Sequence, residues 1–144
     1  MARVEVSTTI ARSPEDVFSF VVDMRNEHRW HTDVLEAKLQ GDGPVERGTQ
    51  FWVRVKPSMG VSEGTFTVEE YQPPRVTALR GTMGKMKLAI THRVEPEGEG
   101  SRFTRRIEVT PPGPAVLMTL VIKRMIRKAN LGFVANLKRV LEDG

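Results

Sequence analysis

The feature that most constrains this chain is its last segment. Roughly residues 114–142 read as one long amphipathic helix, following a body that patterns almost wholly as strands. Met118, Ile122, Met125, Ala129 and Phe133 recur at the three-to-four-residue spacing of a helical face, and Lys123, Arg124, Arg127, Lys128, Lys138 and Arg139 gather on the other side. A helix in that place predicts an α+β fold in which the helix lies across a curved sheet. Such a sheet can enclose a cavity, so the expected function is of the binding-pocket kind.

The strands are read from period-two alternation. Residues 3–10 place Val4, Val6, Thr8 and Ile10 on one face and charged or hydroxyl residues on the other. Ser13 then supplies an N-cap, Pro14 a first helical position, and Glu15 and Asp16 the acids that suit a helix start. Val17, Phe18, Val21 and Val22 form that helix's buried stripe, and 23–30 reads as a second short helix or turn. Strands are expected over 34–39, 49–55, 64–70, 75–81, 85–95 and 101–110. The 34–39 strand is an edge, Gly81 to Gly84 reads as a turn, and the segment Pro96 to Gly100 suits a hairpin. No repeat or long linker divides the 144 residues, so a single domain spans 1–144.

Composition excludes several classes. With no cysteine there is no disulfide scaffold, thiolate zinc site or cysteine nucleophile. The longest apolar run, 115–122, falls well short of the roughly 20 residues that span a bilayer. The first residues alternate rather than form the apolar core of a signal peptide, which points to a cytoplasmic protein. A net charge of +4, spread except on the last helix and lacking aromatic or glycine-rich interleaving, gives no nucleic-acid surface. The basic helix face reads as a solvated surface, with a peripheral membrane or acidic protein contact as the other use open to it.

Four stretches together carry a family likeness. They are Ile10 through Phe18 with Asp23 and Trp30 following, Gly48 through Phe51, Glu70-Tyr71-Gln72-Pro73-Pro74-Arg75, and Asn130 with Asn136-Leu137-Lys138 and Leu141-Glu142. In that order they resemble the SRPBCC superfamily, the START-like or helix-grip fold, and most closely its bacterial polyketide cyclase/dehydrase-like members. The resemblance covers essentially the whole chain. It implies a seven-stranded antiparallel sheet gripping the C-terminal helix, two short helices after the first strand, and a ligand cavity between sheet and helix. It does not imply one chemistry, because members carry lipids, sterols or quinones, bind other macromolecules, or cyclise polyketides.

Strand parity singles out two polar residues. Met86, Leu88, Ile90 and Val94 put His92 on the inward face of one strand, and Phe103, Ile107 and Val109 do the same for Arg105 on the next. If Val94 pairs with Phe103, His92 stands opposite Arg105. Such a pair could line a ligand cavity, or it could be a satisfied core network in which Glu63 or Glu70 balances the arginine. As catalytic candidates, His92 would move a proton while Arg105 holds an enolate or carbonyl.

The remaining expected ligand-binding residues are mostly apolar. Phe51, Phe66, Leu88, Ile90, Phe103 and Ile107 come from the sheet, Met118, Ile122 and Met125 from the helix, and Trp30 serves as a wall. His28 and His31 could share a helical face near Asp33, but no third ligand sits at metal spacing, and neither a metal nor a cofactor is expected. The leading expectation is binding or transport of a hydrophobic small molecule of lipid, isoprenoid or aromatic polyketide type. The alternatives are a polyketide cyclase/dehydratase using His92 and Arg105, and an interaction module using the basic helix face.

Overall fold

The structure, a computed structural model, describes residues 1–58, 60–113 and 118–143. Seven strands form one antiparallel sheet: β1 (Ala2–Ile10), β2 (Val34–Gln40), β3 (Gln50–Ser58), β4 (Val61–Gln72), β5 (Val76–Met83), β6 (Met86–Glu97) and β7 (Gly100–Thr110). Their spatial order is β1-β7-β6-β5-β4-β3-β2, so β2 to β7 run as a meander and β1 returns beside the last strand. Helix α1 (Pro14–Val21) and a 3-10 helix (Met24–Arg29) follow β1, and α2 (Thr119–Asp143) closes the chain. This is the expected helix-grip arrangement. Among the described residues no helix is long and apolar enough to cross a membrane.

Local chemistry sets the first elements. Ala2, Val4, Val6 and Ile10 of β1 are buried while Arg3, Glu5, Ser7 and Thr9 are exposed, the alternation of a strand with one wet face. Ser13 Oγ accepts from Asp16 N at 3.2 Å and Pro14 opens α1, so the cap forms where the residue types place it. β6 and β7 pair with Val94 opposite Phe103 and His92 opposite Arg105, as parity predicts, across the two-residue turn Gly98-Glu99. Gly98 takes φ +59°, a conformation that a tight turn demands and glycine adopts without strain.

Other elements depart from expectation. β5 continues to Met83, so Gly81 is a strand residue and the turn is confined to Gly84-Lys85. The glycine is there for packing, since a Cβ at 81 would run into Thr65 O and the Phe66 ring. The expected helix start at Pro114, and the run 115–117, lie outside the described residues. The buried face of α2 is Asn130, Phe133, Val134, Leu137 and Leu141; of the expected stripe Phe133 is buried, Ile122 and Ala129 are half-buried, and Met118 and Met125 are exposed. The helix packs chiefly on β1, so its second half is clamped and its first half overhangs the sheet.

The core is correspondingly divided. One cluster joins β1, α1 and α2 through Val4, Phe18, Trp30, Phe103, Phe133 and Leu137. A second lines the β3 to β6 side through Phe51, Val53, Phe66, Val68, Leu79 and Ile90. The overhanging part of α2 faces this second side. A cavity lies there.

Candidate functional site

The cavity, an open one of about 480 Å³, lies between one face of the sheet, the 3-10 helix and the first half of α2. Its sheet wall is largely apolar: Val53, Phe66, Leu88, Ile90, Ile107 and Val109 all contribute, with Lys56 and Arg105 as its charged members. Met125, Ile126 and Ala129 of α2 close the opposite side. The buried polar groups gather where Glu27, Arg105 and Asn130 meet, beside His31, and the exposed Asp33 and Lys56 complete the polar lining.

Arg105 organises that end. Only 2% exposed, its guanidinium donates from Nε to Asn130 Oδ1 at 2.9 Å and from Nη1 to His92 Nε2 at 2.8 Å. Glu27 Oε1 lies 3.7 Å from Nη1, an ion pair rather than a hydrogen bond, and Glu27 is itself only 3% exposed. The guanidinium carbon sits 5.2 Å from the centroid of the Trp30 ring, which adds a cation–π contact. A buried cation requires compensation of this order, because an unpaired charge in a low-dielectric interior is strongly destabilising.

The surrounding titrations follow from burial. His92 is 0% exposed, and desolvation first and Arg105 second hold its pKa well below the ordinary value, so the ring is neutral. Because Nε2 accepts from a guanidinium, which cannot accept, the ring proton belongs on Nδ1. His31 is lowered to about 3 by desolvation and then by Arg105, and its ring stacks on Phe133 with centroids 3.8 Å apart. Desolvation pushes Glu27 up while Arg105 pulls it down, with burial the larger effect. Burial likewise lowers Arg105, opposed by Glu27.

The expected site residues separate into two groups. Phe66, Leu88, Ile90, Arg105, Ile107 and Met125 line the cavity. His92, Trp30, Phe51 and Phe103 do not: all four are sealed in the core, and His92 meets the site only through Arg105. Met118 is 52% exposed and Ile122 half-buried, both outside the lining. Trp30 instead forms the floor beneath the guanidinium, its ring edge-on to Phe103 at 6.1 Å.

The expected carboxylate partners of Arg105 are corrected. Glu63 faces outward and accepts from Trp52 Nε1 at 3.2 Å, and Glu70 accepts from Gln72 Nε2 at 2.9 Å. Simple alternation from Phe66 and Val68 would turn Glu70 inward, but a bulge between Val68 and Glu70 shifts the register, and Tyr71 pairs opposite Thr77. The partner is Glu27, which the sequence reading missed. Its signal was the 3-10 period of three, since Met24, Glu27 and Trp30 fall on one eclipsed face and all are buried. His28 and His31 do not converge, because the 3-10 helix ends between them and His28 Nδ1 approaches Arg25 O at 3.0 Å.

A family model described as polyketide cyclase/dehydrase and lipid transport matches residues 1–142. The chain belongs to this polyketide cyclase/dehydrase and lipid transport family. No curated protein matches it by sequence. Solved structures share the fold of this family member at low identity. TTHA0849 from Thermus thermophilus superimposes with a TM-score of 0.74 at 16% identity, over 95% of this chain and 94% of that one. The di-domain ARO/CYC BexL from the BE-7585A biosynthetic pathway gives 0.76 at 14% identity, over 96% of this chain and 46% of that one. Ara h 8.0201 gives 0.70 at 17% identity, over 96% and 97%. For this polyketide cyclase/dehydrase and lipid transport family member, the chemistry must therefore be argued from its own cavity.

Proposed function

We propose that this protein binds a largely apolar small molecule in the cavity between sheet and α2, oriented by one polar contact at Arg105. The observation that carries this reading is the combination of about 480 Å³ of space, largely apolar walls and a few polar side chains, with the buried Arg105 and Glu27 among them. Small-molecule sites have this composition, in which apolar area supplies affinity and a few polar groups fix orientation. Family membership supports the same class of ligand at a coarse level. Lipid, isoprenoid and aromatic polyketide skeletons all suit such walls.

A panel of these ligands offered to purified protein, read by native mass spectrometry, tests the reading. Leu88→Trp would fill the cavity from its β6 wall, and binding should be lost with the fold retained. No binding by any class, or unchanged binding in the filled variant, would remove the proposal.

Polyketide cyclisation is the second reading, favoured by the Arg105 guanidinium and Glu27 carboxylate standing together on the cavity wall. A guanidinium can stabilise an enolate, and a carboxylate whose pKa is raised by burial can take a proton from carbon. His92, neutral and sealed behind Arg105, is poorly placed for that role. Incubation with a synthetic poly-β-ketone should give cyclised product faster than buffer, with the gain lost in Arg105→Leu. Equal rates with and without protein would leave binding alone.

A further inference from the structure

The polar end of the cavity is balanced in charge but not in hydrogen bonding. Arg105 commits Nε to Asn130 and Nη1 to His92, and Nη2 donates to no acceptor among the described residues. Glu27 lies 3.7 Å from Nη1, and neither of its side-chain oxygens accepts a hydrogen bond among the described residues. Both side chains are more than nine-tenths buried and both line the cavity. An unused donor on Arg105 and an unused acceptor on Glu27 thus belong to an ion-paired couple in the cavity lining.

The chemistry of that pair is selective. A hydroxyl oxygen can accept from the guanidinium while its hydrogen is donated to the carboxylate, so one O–H group satisfies both. A ligand carboxylate would accept from Arg105 but would confront the Glu27 carboxylate in a medium where like charges interact strongly. An ammonium would confront Arg105. A ketone or ether would satisfy the donor and leave the acceptor unpaired, which is costly where the group is buried.

We propose that the cavity selects uncharged apolar molecules bearing a hydroxyl, phenolic or enolic O–H, and that Glu27 is the residue that admits this group and turns carboxylates away. The inference rests on the ligand-binding reading above and specifies its ligand class. Fatty acids and other anionic amphiphiles are then excluded, whereas their alcohols and phenols are admitted.

Three probes of one size separate the possibilities: naphthalene, 2-naphthol and 2-naphthoate, titrated by calorimetry near neutral pH. The wild type should bind 2-naphthol most tightly, by about tenfold or more over 2-naphthoate, the ratio that one well-made charged hydrogen bond supports. In Glu27→Gln the Arg105 charge has no counter-ion, so the preference should invert toward 2-naphthoate. If 2-naphthoate binds the wild type as well as 2-naphthol, the selectivity inference is overturned while ligand binding stands. If none of the three binds, the ligand-binding reading falls and this inference with it. Should Glu27→Gln fail to fold, the wild-type ratio alone decides.

Discussion

Arg105 Nη1 lies 2.8 Å from His92 Nε2 across the β6–β7 pair, with both side chains buried. The contact ties the histidine to the acceptor role and gives it a cation as its nearest neighbour. Protonating the ring would place two cations in contact in a dry interior, which is why burial and Arg105 together hold it neutral.

Stability should therefore fall in acid through the histidines. The unfolded chain binds protons at His31 and His92 below about 6.5, and the folded chain does not until pH nears about 3 for His31 and well below 6.5 for His92. Each histidine then removes up to about 1.4 kcal/mol per pH unit as pH falls below about 6.5. Glu27 acts in the opposite sense, because its folded pKa is raised; its contribution is present in acid and is lost as pH rises through that value. Urea midpoints across pH 4 to 8, with imidazole nitrogen shifts recorded in parallel, check this. A His92 ring that titrates near 6.5 in the folded protein would contradict it.

Removing the arginine should cost more than removing the ion pair. Arg105→Leu leaves the Glu27 carboxylate buried without its cation, and losses of about 3–5 kcal/mol accompany such a step. The double variant Arg105→Leu with Glu27→Leu removes both charges and should recover much of that loss. A double-mutant cycle by chemical denaturation measures the coupling. If the two single losses simply add, the residues are not coupled and Arg105 is held by Asn130 and His92 alone.

How much of this site could be read from sequence depends on which periodicity places each residue. His92 and Arg105 were legible because strand parity has a period of two and the turn at Gly98-Glu99 fixes the hairpin register. Glu27 was hidden because a six-residue 3-10 helix has no pattern long enough to declare its buried face. Asn130 shared in the family likeness, but its bond to Arg105 joins elements 25 residues apart, and no local spacing predicts that. Glu70 was misplaced because one bulge reverses parity beyond it. The helix face was legible at Phe133 and Ala129 but not at its start: β1 selects the Leu137–Leu141 side of α2, while Met118 and Met125 remain apolar but exposed.

Gly81 offers a test of the cavity wall. Phe66 pairs opposite it in β4, and a Cβ at this position would strike both the Phe66 ring and the Thr65 carbonyl. Gly81→Ala should destabilise the fold by about 1–3 kcal/mol, the usual range for overpacking, because backbone cannot move aside as a flexible side chain can. Phe66 lines the cavity, so the displaced ring should also change the affinity for an apolar probe such as naphthalene. Thermal denaturation and probe titration read the two effects separately; wild-type values in both would show that the strand pair accommodates the methyl group.

The two methionines of α2 make a matched pair for the cavity itself. Met125 is 67% exposed yet lines the cavity, whereas Met118, 52% exposed, lies outside it. Both replacements by Gln remove apolar surface from a half-exposed helix position without adding charge, so each should change stability by no more than about 0.5 kcal/mol. Their effects on binding should differ. Met125→Gln takes a flexible apolar wall from the ligand and should weaken naphthalene binding by about three- to tenfold, in line with the loss of a few tens of Å² of apolar contact. Met118→Gln should leave it unchanged. Equal weakening by both would mean that the ligand lies along the exposed helix surface rather than beneath it, and no weakening by either would place it at neither.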